Sequence, residues 1–352
     1  MNLTRYLLFL LTIALFAGCA TQTATPAATS APTPIADATE MATAVPTPPA
    51  EVTPTIIPLH GSISANNSEL SGLAWYGDTL ILLPQYPNRL NNNLYALSKA
   101  DILAFLNGET TDALTPQPIP LLDDGVRNIH NFEGYEAIAF LGDQVFATIE
   151  SSPGIHMMGY LVNGRIAPDL SAITLNIPGA VEIAPQADIS NYTDETVFID
   201  GDTVMTLYEA NGQNVNATPQ AHRFDMALNE QPPLSFPNIE YRITDATAVD
   251  GNGRFWAINY NYPGDKLDIA ADPLAAQFGS GPTHAASSIV ERLVEFQIGD
   301  NGITFSGTPP IQLALLENGD ARNWEGIVRL DDRGFLLVTD KFPETILAFV
   351  SK

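Results

Sequence analysis

Cysteine is almost absent from this chain of 352 residues, since Cys19 is the only one. A lone cysteine excludes a framework of disulfides within the chain. The histidines offer no zinc site either, because no two of them have the spacing of zinc ligands and none belongs to an HExxH pattern. They are His60, His130, His156, His222 and His284.

Basic residues are scarce, with 15 Lys and Arg against 40 Asp and Glu and a net charge of −25. Proteins that bind nucleic acid place Lys and Arg on the phosphates, and anionic lipid headgroups attract the same residues. The composition therefore argues against both kinds of partner. A P-loop and a Gly-rich dinucleotide fingerprint are absent as well. We expect no nucleotide, no haem and no zinc as cofactor.

Long hydrophobic runs are also missing, and the apolar stretch Tyr6–Phe16 is too short to span a membrane. With Arg5 before it and small residues after it, this stretch predicts an export signal. Leu15-Phe16-Ala17-Gly18-Cys19 resembles the lipobox of bacterial lipoproteins, with Phe16 where leucine is usual. The resemblance implies a signal peptide over residues 1–19, a lipidated Cys19 and a lipid-anchored, extracytoplasmic place in a bacterial cell envelope. A plain secretory signal is the alternative.

The segment 20–55 that follows is rich in Thr, Ala and Pro and has no aromatic residue. Such a composition buries too little apolar surface to fold, and its prolines favour extended conformations. We expect a disordered linker over residues 20–55 and one folded domain over residues 56–352. If the lipid anchor is correct, the membrane is reached through that anchor only.

A short unit recurs five times in the folded part. Each copy opens on Ser or an acid, continues with a small residue and an apolar run, turns at Gly, Asp or Asn, and closes on a polar residue after a second apolar run. Tight hairpins need residues that tolerate positive φ, which these turn residues do. The opening residues are Ser71, Glu136, Glu195, Asp245 and Glu325, and the closing ones are Gln85, Glu150, Glu209, Asn259 and Asp340.

A hairpin unit that recurs at a long interval predicts an all-β fold of the β-propeller type, with one unit in each blade. The small residue after each opening position agrees with inner strands that crowd around an axis. We predict five blades, and six remain possible because the segment Tyr260–Ser288 is long. We expect Ile56–Ile63 to pair with Glu344–Val350, so that the two chain ends close the ring in the last blade.

In a propeller the acids of the repeat converge near the axis. Hard carboxylate oxygens in such number suit Ca²⁺, which takes about six to eight of them. The expected metal ligands are Glu136, Glu150, Glu195, Glu209, Asp245, Glu325 and Asp340. Glu136, Glu150 and Glu325 are also candidate catalytic carboxylates. A solvated, purely structural polar channel is the third possibility.

Four basic residues stand close to the ends of these units and are candidates for contacts with an anion: Arg127, His130, Arg322 and Lys341. Glycoside hydrolysis needs only two suitably separated carboxylates. Proteins that bind sugars usually also offer aromatic side chains on which a sugar ring can pack. Trp324, Tyr260 and Tyr262 could serve as such, although each also suits packing between strands.

The repeat motifs resemble the exported propeller family called phytase-like, or "esterase-like activity of phytase". The residues that carry the resemblance are Tyr135–Phe140, Asp245–Gly251 and Trp324–Val328. It implies ester or phosphoester hydrolysis with Ca²⁺, although the chain has few Lys and Arg to hold phosphates. We therefore expect a Ca²⁺-dependent hydrolase of a small molecule, or alternatively a non-catalytic binding or scaffolding propeller that meets a surface partner through Tyr260–Ser288.

Overall fold

The computed structural model describes residues 48–154 and 156–352, and the side chain of Arg127 lies outside the description. The predicted signal peptide, Cys19 and most of the predicted linker fall outside the described residues and stay predictions. In the part of the chain that is described, no helix is long and apolar enough to cross a membrane.

The described part of the chain is mostly β, as the sequence predicts, and it contains two short helices, α1 (Lys99–Leu106) and α2 (Pro273–Phe278). Single 3-10 turns lie at Ser62–Ser64, Pro87–Leu90, Val126–Asn128, Ile177–Gly179 and His284–Ala286. The strands are β1 (Glu51–Val52), β2 (Thr55–Ile57), β3 (Leu70–Tyr76), β4 (Thr79–Pro84), β5 (Asn93–Ser98), β6 (Gln117–Leu122), β7 (Phe132–Leu141), β8 (Gln144–Ser151), β9 (Met158–Ile166), β10 (Ile173–Leu175), β11 (Val181–Ile183), β12 (Asp194–Asp200), β13 (Thr203–Tyr208), β14 (Gln220–Asp225), β15 (Glu230–Ser235), β16 (Arg242–Ala246), β17 (Arg254–Asn261), β18 (Val290–Gly299), β19 (Gly302–Phe305), β20 (Ile311–Leu313), β21 (Trp324–Leu330), β22 (Gly334–Thr339) and β23 (Leu347–Ser351).

The strands pair in chain order into antiparallel groups. These are β3-β4-β5-β6, β7-β8-β9-β10, β12-β13-β14-β15, β16-β17-β18-β20 and β21-β22-β23-β2. A parallel pairing of β6 with β10 joins the first two groups into one larger sheet. β11 adds to β9, and β19 adds to β18.

The first strands of these groups lie side by side. β3 contacts β7, β7 contacts β12, β12 contacts β16, β16 contacts β21, and β21 contacts β3. This cyclic order is the arrangement of a propeller-type fold. The inner strands crowd as predicted, because a Cβ on Gly72 would lie 3.2 Å from the Cα of Ala137, and one on Gly326 would lie 3.0 Å from the carbonyl carbon of Gly72.

The predicted hairpins form, and three of them have two-residue turns. Tyr76 pairs with Thr79, Leu141 with Gln144 and Asp200 with Thr203. The first turn residue is Gly77, Gly142 or Gly201, with φ of 57°, 55° and 61°. Glycine adopts this left-handed region without steric cost, which is why the Gly-Asp turns of the sequence locate the hairpins correctly.

The two ends of the described chain meet in one sheet, where Thr55 pairs with Phe349 and Ile57 with Leu347. The structured part also begins before Ile56, because β1 pairs in parallel with β20. The Glu51 carboxylate accepts hydrogen bonds from the backbone N and the Oγ1 of Thr283, each at 2.9 Å, and contacts Nδ1 of His284 at 2.9 Å. We call this contact the Glu51 clamp.

Apolar side chains fill the space between neighbouring sheets. For example, Phe198 of the third group stacks on Phe255 of the fourth group, and Phe255 in turn stacks on its cross-strand partner Phe296. The later halves of the inner strands surround a small apolar cavity of about 180 Å³. The first halves of the same strands carry polar residues instead, namely Ser71, Glu136, Glu195 and Glu325.

Candidate functional site

Each opening position of the repeat coincides with a β-bulge in an inner strand. The register shifts between Leu70 and Gly72, Tyr135 and Ile138, Asp194 and Thr196, Ile243 and Ala246, and Trp324 and Gly326. A bulge breaks the alternation of side chains and re-aims the extra residue. The residues that lie within these bulges include Ser71, Glu136, Glu195, Asp245 and Glu325.

A polar cavity of about 250 Å³ lies where these strands begin. We call it the acidic cavity. Five of the seven predicted metal ligands line it: Glu136, Glu150, Glu195, Glu325 and Asp340. Ser71 and Gln85, the opening and closing residues of the first unit, line it as well. The convergence of the repeat positions is therefore present in the structure, from sheets far apart in sequence.

Arg242, the first residue of β16, holds the acids together. Its Nε donates to Oε1 of Glu209, and its Nη2 lies 3.5 Å from Oε2 of Glu195 and 3.5 Å from Oε1 of Glu325. Its Nη1 donates to Oδ1 of Asn323 at 3.3 Å. The side chain is only 13% exposed. A guanidinium that serves several carboxylates through its fork of donors is suited to such a centre.

The charges of this group influence one another's pKa. Burial lowers the pKa of Arg242, but Glu209, Glu195 and Glu325 raise it above its ordinary value. Burial raises the pKa of Glu195 and of Glu209, and the nearby Arg242 guanidinium works against that rise. Arg242 therefore stays charged and favours ionisation of the carboxylates that it touches.

Glu136 and Glu150 have no such partner. Within the described chain neither forms an ion pair, and Glu136 accepts only from Nε2 of Gln85 at 3.2 Å. Burial, then Glu150 and Glu195, raise the pKa of Glu136 well above its usual range. Burial and Glu195 raise the pKa of Glu150 to about 8. At neutral pH Glu150 therefore holds a proton, in contrast to ordinary carboxylates.

Three carboxylate oxygens of the group are buried and have no hydrogen-bond partner among the described residues: Oε1 of Glu150 and Oε2 of Glu195 and Glu209. The Glu195 atom is within ion-pair distance of Arg242 but lacks hydrogen-bond geometry. Buried polar atoms are nearly always satisfied, so each exception calls for an explanation such as a catalytic role or a bound ligand.

Three residues of the repeat do not line the acidic cavity: the predicted metal ligands Asp245 and Glu209, and the closing residue Asn259. Oδ2 of Asp245 accepts from the backbone N of Ile327 at 2.8 Å and so ties β16 to β21. Glu209 is fully buried behind Arg242. The side chain of Asn259 donates to the carbonyl of Glu240 and accepts from Arg292. Asp245 and Asn259 thus stabilise the strands.

The four predicted anion contacts meet different surroundings. Lys341 lines the acidic cavity, and its Nζ lies 3.4 Å from Oε1 of Glu69. Arg322 is buried, and its guanidinium donates to Glu291 at 2.8 Å, which leaves it no access to a ligand. His130 lies on the surface. The side chain of Arg127 lies outside the described residues.

Sequence reasoning missed Arg242. It stands three residues before Asp245, so it lies outside the repeat as the sequence defines it. A usable signal existed, because the sequence offers few basic residues and this one lies only three residues before an opening position. The aromatic Trp324 is fully buried, and its Nε1 donates to Glu291 at 2.8 Å, so it is no platform for a ligand.

Carboxylate oxygens are suitable Ca²⁺ ligands in chemical type. Over the described residues, no group of three or more His, Cys, Asp or Glu side chains is placed to hold a metal ion. The positive charge among them is supplied by Arg242.

No family model matches this chain, and no curated protein matches it. Several solved structures are similar in backbone course. A hypothetical protein from Leishmania major is 12% identical over 86% of this chain and 90% of its own, with a TM-score of 0.46. The GH32 β-fructofuranosidase of Bombyx mori is 9% identical over 84% of this chain and 62% of its own, with a TM-score of 0.48.

The catalytic domain of a GH62 α-L-arabinofuranosidase from Coprinopsis cinerea is 7% identical over 86% of this chain and 97% of its own, with a TM-score of 0.44. The activities named here belong to those proteins. At these identities and TM-scores we transfer no residue role, ligand or activity to this chain.

Proposed function

We propose that the five hairpin groups are five blades of one propeller, closed where β2 joins β23. Two observations support this count. The inner strands contact one another in cyclic order, and the segment Tyr260–Ser288 holds α2 and a 3-10 turn but, beyond the end of β17, no strand that could begin a sixth hairpin in the described chain.

We further propose that the acidic cavity is a hydrolytic site. The observation that carries this proposal is the division of its carboxyl groups into two environments. Glu195 and Glu325 lie 3.5 Å from the Arg242 guanidinium. Glu150 lacks a cationic partner, and its pKa rises to about 8. Carboxyl groups whose surroundings differ in this way are suited to opposite acid and base roles.

In this proposal Glu150 is the general acid and Glu195 the general base. Glu195 takes a proton from water as the water oxygen bonds to the electrophilic carbon of the substrate. Glu150 gives its proton to the leaving oxygen as the bond to that oxygen breaks. Solvent then restores both protonation states. The Arg242 guanidinium opposes the rise that burial causes in the pKa of Glu195 and so favours its ionised form. The buried surroundings of Glu150 raise its pKa to about 8, which keeps it protonated at neutral pH.

The charge of the cavity limits the substrate. The phytase-like resemblance implies ester or phosphoester hydrolysis, but the walls of the cavity carry six acids against Arg242 and Lys341. A phosphate ester would meet this negative charge without the Arg and Lys contacts that phosphates require. A neutral small-molecule substrate fits better.

The test is hydrolysis of chromogenic carboxylic esters, phosphate esters and glycosides as a function of pH. We expect turnover of a neutral probe with an alkaline limit near pH 8. Glu150→Gln should lower kcat about 100-fold or more for a poor leaving group and abolish that limit. Glu195→Gln should abolish the acid limit, and the surface control Glu182→Gln should behave as wild type. Turnover that neither cavity variant changes, or no turnover of any probe, overturns the proposal.

Ca²⁺ remains a prediction, and no step above passes through it. The carboxylates of the acidic cavity would have to move to hold it, since no three of them in the described chain are placed to bind a metal ion. A thermal melt with Ca²⁺ and with chelator tests this, because a ligand that binds only the native state raises stability by mass action. A shift that Glu136→Gln and Glu325→Gln both remove would place the ion in this cavity.

Binding without catalysis is the second candidate. The unpartnered oxygens of Glu150, Glu195 and Glu209 favour it, since they need only a ligand and no reaction. A probe that binds to the acidic cavity but is not hydrolysed at any pH would support binding without catalysis. In either case we propose a lipid-anchored protein of a bacterial envelope, with the membrane reached through Cys19 and no nucleic-acid partner.

A further inference from the structure

A second cavity, of about 610 Å³, adjoins the acidic cavity and shares Arg242, Asn323 and Asp340 with it. Its other walls include Tyr260, Tyr262, Asp265, Asp320 and Phe342. We call it the aromatic vestibule. Because Arg242 belongs to both walls, a ligand in the vestibule lies next to the proposed reaction centre.

The vestibule collects aromatic surface that packing does not explain. Among the described residues only Tyr262 and Phe342 are aromatic side chains that stay largely exposed, at 51% and 56%. The other exposed large hydrophobic side chains are aliphatic and are absent from its walls. A single exposed apolar residue is ordinary, but two exposed rings on one concave surface are typical of a recognition site.

Both rings stand on turns that are fixed by hydrogen bonds. The backbone N of Tyr262 donates to Oδ2 of Asp265 at 3.3 Å, and the N of Asp265 returns to the carbonyl of Tyr262 at 3.0 Å. The N of Phe342 donates to Oδ1 of Asp340 at 2.6 Å, and its carbonyl accepts from Asn323 at 3.1 Å. Platforms held in this way cost little entropy when a ligand binds.

The charges around the rings disfavour ionic ligands. An anion would meet Asp265, Asp320 and Asp340. A cation would meet resident cations, because the Arg242 guanidinium lies 5.5 Å from the Tyr260 ring centroid and Lys341 Nζ lies 5.5 Å from that of Phe342. A neutral ligand avoids both penalties.

A sugar ring is neutral, and it has two further properties that suit the walls of the vestibule. Its face of C–H groups is apolar and covers an aromatic ring, and its hydroxyls donate to carboxylate and amide oxygens at its edge. Asp265 and Asp320 each use Oδ2 within their own loops, which leaves the other oxygen to face a ligand. We propose that the aromatic vestibule binds a neutral saccharide unit on Tyr262 and Phe342 and so presents a sugar derivative to the acidic cavity; this substrate class rests on the hydrolytic site proposed above.

The experiment separates binding from catalysis by using the full chain with Glu150→Gln. Calorimetric titrations with neutral disaccharides (cellobiose, maltose, sucrose and xylobiose) are compared with a titration by tetramethylammonium. We expect at least one disaccharide to bind. Tyr262→Ala and Phe342→Ala should each weaken that binding about three- to tenfold, from the loss of one aromatic contact. Tyr262→Phe, which keeps the ring, and Leu122→Ala, an exposed aliphatic side chain elsewhere, should change it less than twofold.

Binding of tetramethylammonium alone, no binding of any disaccharide, or equal affinity in the alanine variants overturns the saccharide proposal. Circular dichroism of each variant establishes that it is folded. If the disaccharide binds as expected but wild-type chain hydrolyses no probe, the hydrolytic proposal fails and the vestibule stands. If the alanine variants hydrolyse the probes as well as the wild-type chain does, the saccharide proposal for the vestibule fails and the hydrolytic proposal stands.

Discussion

At the scale of the residue, the protonation of its carboxyl groups determines the properties of the acidic cavity. Its carboxyl groups outnumber its cations, and burial together with repulsion between neighbouring carboxylates raises the pKa values of Glu136, Glu150 and Glu325. An acid whose pKa is higher in the folded than in the unfolded chain makes the folded state less stable as pH rises between the two values.

For Glu150 that window runs from its ordinary value of 4.5 to about 8. We expect the free energy of unfolding to fall across it by up to about 1.4 kcal/mol per pH unit for each such group. Glu150→Gln should exceed wild type only slightly at pH 5, near the start of this window, and clearly at pH 8. Urea unfolding from pH 5 to pH 8 measures this difference. Parallel curves for the two proteins would show that Glu150 is ionised in the folded state.

Arg242 is the second residue with a predicted effect. Arg242→Gln leaves Glu195, Glu209 and Glu325 without their cation, and breaking a buried pair costs about 3–5 kcal/mol. We expect a loss of this order at pH 8 and a smaller one at pH 5, because the carboxyl groups can then take up protons. Urea unfolding at both values tests this, with the exposed Arg165→Gln as control. An equal loss at both pH values would contradict an electrostatic role.

The acids of the cavity could be found from the sequence because they recur at fixed positions in the repeat. Arg242 could not be found in this way, since it occurs in one unit only. The vestibule could not be predicted as a surface, because Tyr262 and Phe342 come from loops whose course no periodic pattern describes. Regular strands leave a signal in sequence, and loop geometry leaves almost none.

At the scale of the element, the bulges explain why a strand can place an acid at the axis. The sequence predicted the hairpins and their turns from Gly-Asp pairs, but it showed no bulges, because an extra residue looks like an ordinary position until its partner strand is known. The repeated small residues are the visible trace of this geometry. They allow neighbouring inner strands to approach closely.

A substitution at Gly326 tests how closely the inner strands pack against one another. A Cβ there would lie 2.7 Å from Cγ2 of Val338 and 3.0 Å from the carbonyl carbon of Gly72. Overpacking of this kind costs about 1–3 kcal/mol, so Gly326→Ala should lower the free energy of unfolding by that amount. Gly251→Ala, where a Cβ meets nothing within 4 Å, is the matched control. Equal stability of both variants would show that the strands separate easily.

At the scale of the whole molecule, the proposed ring depends on the pairing of the two chain ends. Thr55 and Phe349 are direct partners in β2 and β23, and opposite positions of antiparallel strands lie within the range that a disulfide spans. Thr55→Cys with Phe349→Cys, in a chain that also carries Cys19→Ser, should form an internal disulfide and raise the free energy of unfolding by about 2–4 kcal/mol.

The control for this pair is Thr55→Cys with Val350→Cys, since Val350 is one residue out of register with Thr55 and its side chain lies on the opposite face of the sheet from that of Phe349. It should remain reduced under the same mild oxidation. Thiol titration and urea unfolding with and without reductant read the result. Disulfides formed only between molecules would contradict a closed ring.

The Glu51 clamp determines how the molecule bears mechanical load. Tension on the chain ahead of Glu51 enters the domain at β1, which is the outermost strand of its sheet, and three strands (β20, β18 and β17) separate it from β16 and Arg242. A pull along β1 strains its two register pairs with β20 together with the contacts to Thr283 and His284. The force is thus absorbed at the rim of the molecule, and the acids at its axis keep their spacing while the domain is pulled.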